Sequence, residues 1–407
     1  MTTVTTAGPT ELTERQILLL AAASAIVTAN AYYIHPIIAR VAEEFSVSAA
    51  LVGAVPALNQ LALACGILLL LPLGDRVNNR RLVPLFLSAQ TMLLVAMLLA
   101  DDYWVFVSAS SLLGFFTIAP YLLPAYVSKR VGTTRLGHVT AILTSGVIAG
   151  VLLSRAGSGV IAEYFGWRTV YVLAAALMLL ATLALPLLME DDPPAAVQDE
   201  QPGYGVLLLS LLPLLRTYPV VLLSGAMQGL SFGIFLCVWL GIGLHLTSPE
   251  LGYGTDLVGY LSLLAVANLL TTPWLGRWAD RVGPRRARLR IALVQLAGVC
   301  LLFVTGHSPW LLLVPITLMN VAGPIIDVTG RMTFLALQPS IRTRLMTVYI
   351  VLMFIGGGFG SWAGTIAYDL AGWNGTAALS LLLSLLVLAL ALFAFRLPRV
   401  GADRARQ

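Results

Sequence analysis

The sequence predicts an all-α membrane protein: twelve transmembrane helices in two pseudo-symmetric six-helix bundles. Three observations lead there: the composition, the lengths of the apolar runs, and an internal repeat. Of 407 residues, 58% are hydrophobic and 11% charged, and mean hydropathy is +0.89. A soluble domain carries about 25% charged residues. So few ionisable groups cannot solvate a surface of this size, so the chain must be solvated by lipid. The same figures exclude disorder, collagen and coiled coil.

A helix needs roughly 20 apolar residues to cross a bilayer. The runs at 16–39, 49–73, 82–100, 104–127, 137–162, 168–188, 218–245, 257–276, 289–306, 309–330, 344–368 and 375–395 meet that need. They are continuously apolar and lack the alternation of a β-barrel strand. The polar head Met1–Glu14 has no basic region, and the run after it is long enough to span. It therefore reads as a first span rather than a cleavable signal peptide.

An even number of spans puts both termini on one side. With that side cytoplasmic, 21 of the 24 basic residues fall in cytoplasmic segments, Arg40 and Arg168 fall outside, and Arg155 falls within a span. This is the positive-inside bias, and it predicts a multi-pass protein of the cell (inner or plasma) membrane with cytoplasmic termini. The net charge of +5 is then a topology signal and an attraction to anionic headgroups, not a nucleic-acid surface.

The acidic, proline-bearing stretch Glu190–Gly205 separates the halves. It divides the chain into residues 1–189, a linker 190–217 with a short interfacial helix over Tyr204–Arg216, and residues 218–407. The halves repeat. Leu71-Pro-Leu-Gly-Asp75-Arg76-Val-Asn-Asn-Arg80-Arg81 recurs as Gly276-Arg-Trp-Ala-Asp280-Arg281-Val-Gly-Pro-Arg285-Arg286, 205 residues later. Gly166-Trp167 recurs as Gly372-Trp373, at an offset of 206.

On these motifs the chain resembles the major facilitator superfamily over nearly its whole length. The second loop copy fits the family pattern Gly-x-Leu-Ala-Asp-Arg-x-Gly-Arg-Lys, with Trp278 for Leu and Pro284 inserted. The first has Leu71 for the leading Gly and Asn78 for the inner one. Within the family it is similar to a bacterial branch of predicted efflux proteins, through Ala29-Asn30-x-Tyr32-Tyr33-x-x-Pro36, Arg342-x-Arg344-Leu-x-Thr347-Val-Tyr349 and Gly356-Gly-Gly-Phe-Gly360-Ser361. The resemblance implies a monomeric transporter working by alternating access. Its partners would be a small-molecule substrate, protons as coupling ion, and the lipid bilayer.

The resemblance also sorts the residues. Asp75, Arg76, Asp280 and Arg281 are placed to act as a conformational latch against helix N-termini of the opposite half; the alternative is topology alone. Glycines of span 5 (Gly146, Gly150, Gly157, Gly159) and span 11 (Gly356, Gly357, Gly358, Gly360, Gly364) suit either a sliding seam or plain tight packing. The family's antiporter motif is broken at Ser154-Arg155, and Ser110 stands where its span-4 arginine would be.

Arg155 and Asp327 are the two ionised groups well inside spans, and intramembrane charges are functional candidates. Asp327 is the candidate for proton coupling, with an ion pair to Arg331 as the plainer role; His35 comes second. Arg155, Asn30, Tyr33, Tyr121, Gln228, Phe232, Trp239 and Asn320 are the substrate-binding candidates. Amides among aromatics suit a small amphipathic molecule. Pro36, Pro120, Pro124, Pro315 and Pro324 are expected to bend their helices.

Cys65, Cys237 and Cys300 lie in apolar runs without metal or disulfide spacing. There is no P-loop, dinucleotide fingerprint or nucleophile elbow, so neither an enzyme nor a cofactor is expected. The function expected is proton-coupled export of a small organic compound. An uptake symporter or organic-anion exchanger using Arg155 is the alternative, and a non-transporting membrane sensor the alternative from another class.

Overall fold

The computed structural model describes residues 12–191, 204–205, 210–335 and 341–396; within these, the side chains of Asp75 and of residues 133–134, 212, 267–270 and 335 lie outside the description. In chain order the α-helices are α1 (Glu14–Ala29), α2 (Ile34–Glu44), α3 (Ala49–Val52), α4 (Ala54–Leu70), α5 (Asn79–Leu98), α6 (Tyr103–Phe116), α7 (Ala119–Ser128) and α8 (Thr133–Phe165). They continue with α9 (Trp167–Leu188), α10 (Leu211–Thr217), α11 (Pro219–Leu246), α12 (Thr255–Ser262), α13 (Val266–Val282), α14 (Pro284–Thr305), α15 (Pro309–Leu335) and α16 (Arg342–Arg396).

Ten helical tracts among the described residues are long and apolar enough to cross a bilayer. The last, α16, holds two spans across a break at Ala371–Gly372. The tract α12–α13, joined by a 3-10 turn at Leu263–Ala265, supplies the remaining span. This is the twelve-helix, all-α architecture the sequence predicts. Large apolar side chains such as Leu85, Met92, Leu180, Leu187 and Leu382 are more than half exposed on these helices. In water so much exposed apolar surface would be a liability; in a bilayer it is the solvated face.

Two compact units form: Met1–Ser210 with Ile242–Leu263, and Leu211–Gly241 with Leu264–Gln407. In the first, α1 packs on α8, α4 on α6, α5 on α9, and the returning helix α12 on α8. In the second, α14 packs between α15 and α16.

The repeat reappears as local conformation. Gly166 (φ 85°) ends α8 before Trp167, and Gly372 (φ 57°) breaks α16 before Trp373; both tryptophans are buried. A positive φ is where glycine avoids a side-chain penalty. Gly283 (φ 85°) with Pro284 does the same between α13 and α14, since glycine ends a helix and proline starts one at little cost.

Prolines act unequally. Spans 1 and 4 break at 30–33 and at 117–118, each just before Pro36 or Pro120, which lack the N–H that would bond the carbonyl four residues back. Pro124, Pro315 and Pro324 instead stay inside α7 and α15.

Candidate functional site

In the first unit, the break in span 1 brings Tyr32 and His35 beside Arg155 of α8. The Arg155 guanidinium lies 5.2 Å from the centre of the Tyr32 ring, and His35 meets that ring edge-on at 5.3 Å. Arg155 and His35 are each 1% exposed. Neither ring nitrogen of His35 has a hydrogen-bond partner among the described residues.

Two turns further along α8, Glu163 binds the start of α12. Its Oε2 accepts hydrogen bonds from Thr255 N at 2.9 Å and Thr255 Oγ1 at 3.1 Å, and pairs with Arg40 at 3.1 Å. The single Thr255 hydroxyl proton is shared with the Gly159 carbonyl, 2.8 Å from Oγ1. Arg168 pairs with Glu44 at 3.1 Å and donates to the carbonyls of Leu98 and Ala100.

Asn30 is engaged through one atom: its Nδ2 donates to Gln90 Oε1 at 3.3 Å, and its Oδ1 is buried without a hydrogen-bond partner among the described residues. Gln90 Nε2 in turn donates at 2.9 Å to the Phe116 carbonyl, which Pro120 cannot bond. One buried amide on α5 thus ties the breaks of spans 1 and 4 together. Tyr33 is buried and Tyr121 half-buried nearby in sequence to these breaks.

In the second unit, Gln228, Phe232 and Trp239 lie on one stripe of α11, to which Phe235 belongs through stacking on Phe232 at 5.8 Å and an edge contact to Trp239 at 6.4 Å. Phe354 meets Phe232 edge-on at 5.8 Å. Gln228 Oε1 and Asn320 Nδ2 are buried without a hydrogen-bond partner among the described residues.

Asp327 on α15 accepts from Arg331 Nε at 2.8 Å and from Tyr349 Oη at 2.8 Å. Its side chain is 22% exposed and that of Arg331 35%. The buried Arg288 lies close by, donating to the Thr329 carbonyl at 2.8 Å and to Ser224 Oγ at 3.3 Å. The ion pair at four-residue spacing was legible in sequence; Tyr349 was not.

Of the four latch candidates, the Asp75 side chain lies outside the described residues. Arg76 is exposed over the Tyr204 ring at 6.0 Å, and Asp280 and Arg281 are exposed. The first loop copy also binds the end of span 6: Asn78 Nδ2 and Arg80 Nη1 donate to Asp191 at 2.7 and 3.1 Å.

The glycines pack within their units. Gly146 and Gly150 of α8 meet the backbone of Ala21 and Ala25 on α1, and Gly159 meets α12. Gly356 and Gly360 of α16 meet Gly229 and Gly233 of α11.

Sequence reasoning missed Gln90 and Gln295. They stand 205 residues apart, the offset of the loop motif, and each is buried in its span. Gln295 Nε2 donates to Ser231 Oγ at 2.9 Å. An amide at the same place in two apolar spans was the available signal.

The profile of the Major Facilitator Superfamily matches residues 20–293 and 244–407. The chain belongs to the Major Facilitator Superfamily. It is 28% identical over 368 residues to the uncharacterized transporter YgaY of Escherichia coli O157:H7, covering 90% of this chain and 92% of that one. It is 27% identical over 376 residues to the probable transporter SCO4007 of Streptomyces coelicolor, covering 92% and 86%. A shorter match, 27% over 238 residues, covers 54% of this chain and 53% of the multidrug resistance protein MdtG of Klebsiella pneumoniae.

Among solved structures, a bacterial homologue of the human lysosomal transporter Spinster, inward-facing and unoccupied, superposes with a TM-score of 0.77 at 14% identity. It covers 94% of this chain and 96% of that chain. A D-xylose-proton symporter gives 0.71 at 16%, covering 92% and 97%. At these identities the likeness is one of fold. The chain is a multi-pass membrane transporter of this superfamily.

Proposed function

We propose that the protein exports a small organic molecule by alternating access, driven by proton exchange at Asp327. One observation carries this: among the described residues, the carboxylate of the acid well inside the spans is held by one cation and one phenol. Arg331 and Tyr349 each give Asp327 one hydrogen bond, and its side chain is part-exposed. A carboxylate that loses such partners in one conformation gains affinity for a proton, and the proton then biases that conformation. The match to MdtG, a multidrug resistance protein, supports export.

In this reading the cargo is met by Arg155, Asn30, Tyr33 and Tyr121 in the first unit and by Gln228, Phe232, Trp239 and Asn320 in the second. Asn30 contributes through the Gln90 network. Asp75, Arg76, Asp280 and Arg281 latch the cytoplasmic face, the termini are cytoplasmic, residues 190–217 link two six-helix halves, and the protein acts as a monomer.

The test is flux in proteoliposomes with an imposed proton gradient, across a panel of cationic, anionic and neutral organic compounds. Gradient-driven flux should vanish in Asp327→Asn while downhill exchange persists. Unchanged pH dependence in that variant would remove Asp327 from the mechanism. No flux of any compound would favour a sensor. A second reading, uptake or exchange of organic anions, is favoured by the burial of Arg155 beside Tyr32 and His35.

A further inference from the structure

We infer that Tyr32, His35 and Arg155 form a subsite for the carboxylate of a small organic anion, covered by the segment Ile242–Leu263. The inference rests on the substrate role of Arg155 given above and names the chemistry of what it holds.

Four observations converge. Arg155 is buried to 1% about two-thirds of the way along α8, where a full positive charge is costly in lipid. His35 is buried equally, and both its ring nitrogens are without a protein hydrogen bond among the described residues. A buried polar group left so costs stability, which function can justify. Both side chains face one ring, that of Tyr32. The hydroxyls next to Arg155 on α8 are already engaged, Ser154 with the Val151 carbonyl and Ser158 with the Arg155 carbonyl. Arg155 and His35 are the donor side chains that this corner brings together on one ring.

That donor set fits a carboxylate. A guanidinium presents two parallel N–H groups to a planar, singly charged oxygen pair, and a neutral imidazole adds one donor. A phosphate dianion would need more charge than one arginine supplies.

The cover is built for close approach. A Cβ on Gly243 would come within 2.5 Å of the His35 carbonyl, and one on Gly259 within 2.9 Å of the Ala156 carbonyl and 3.2 Å of that of Arg155. Only glycines let this segment sit directly on the backbone that carries the two donors. The Glu163–Thr255 hydrogen bonds then fasten its helix over the cluster. Release of that fastening opens the subsite.

The experiment is thermal unfolding of the purified full chain in detergent, without any gradient. The probes are benzoate and hexanoate at millimolar concentration, each against its uncharged amide. The carboxylates should raise the melting temperature and the amides should not. Arg155→Lys, which keeps the charge but loses the fork, should weaken the effect about tenfold. His35→Leu should remove most of the shift while leaving the ligand-free melting temperature unchanged or higher.

Equal effects of acid and amide, a shift that survives both substitutions, or no shift with either carboxylate would overturn the subsite. Because no flux is measured, the two proposals fail separately. Carboxylate binding without proton-driven flux would retain the subsite and discard the coupling. Proton-driven flux with acid and amide acting alike would do the reverse.

Discussion

Glu163 caps the helix that begins at Thr255: one carboxylate oxygen accepts both the backbone N–H and the hydroxyl of that threonine, at 2.9 and 3.1 Å. The two residues lie 92 positions apart. A capping acceptor contributes about 1 kcal/mol, with a range of roughly 0.5–2. Glu163→Ala should therefore lower stability by about that amount. In a cycle with Thr255→Val the two losses should not add. Amide exchange over residues 255–262 should quicken in the single variant, and unchanged exchange would mean the cap does not hold the helix.

Substitutions at Gln90 should be worse than its neutral chemistry suggests. Gln90→Leu leaves Asn30 Nδ2 without its partner in a buried place and takes from the Phe116 carbonyl one of its two donors, the Ile118 N–H remaining at 2.8 Å. The first loss costs about 1–3 kcal/mol. Among the described residues Gln295→Leu deprives Ser231 alone, whose hydroxyl can bond its own helix, so a loss of about 1 kcal/mol is expected. Denaturation of the two variants side by side checks the order.

The glycine seam of α11 and α16 should tolerate nothing larger. A Cβ on Gly356 would lie 2.4 Å from Gly229 backbone atoms, and one on Gly360 2.3 Å from Gly233 Cα. Backbone cannot rotate away as a side chain can, so Gly356→Ala should destabilise by about 1–3 kcal/mol. Gly157→Ala is the control, since nothing lies within 4 Å of its added carbon. It should be neutral or gain up to about 1 kcal/mol. Melting temperatures of the pair settle the contrast.

Arg130 should prove structural. It is 3% exposed and donates to the carbonyls of Tyr126, Glu190 and Asp191, at 3.2, 3.1 and 2.7 Å. Its guanidinium also lies over the Tyr126 ring at 3.9 Å. Arg130→Met should cost about 2–3 kcal/mol and speed proteolysis just after residue 189. A variant as stable and as protease-resistant as the parent would show that the end of α9 is held by other contacts.

Much of the fold was legible because its signals are local. Twelve spans follow from hydropathy and bilayer thickness, and breaks at Gly166, Gly283 and Gly372 follow from residues that alone enter positive φ cheaply. The Asp327–Arg331 pair is visible as a four-residue spacing. Tyr349, 22 residues beyond Asp327, carries no such mark, nor does His35 beside an arginine 120 residues further on. The glycines of spans 5 and 11 announced close packing but not which helix they would meet.

The sequence by itself determined that this chain lives in a bilayer, crosses it twelve times, repeats itself and belongs to a transporter family. Apolar length, charge placement and motif spacing are properties of consecutive residues, so they survive without coordinates. Only the tertiary structure decided that Asn30 serves Gln90, that Glu163 fastens Thr255, and that Tyr32, His35 and Arg155 share one buried corner. In lipid every span is apolar on all sides. Partners are then chosen by shape and by the few polar groups that must find one another, and neither is written in hydropathy.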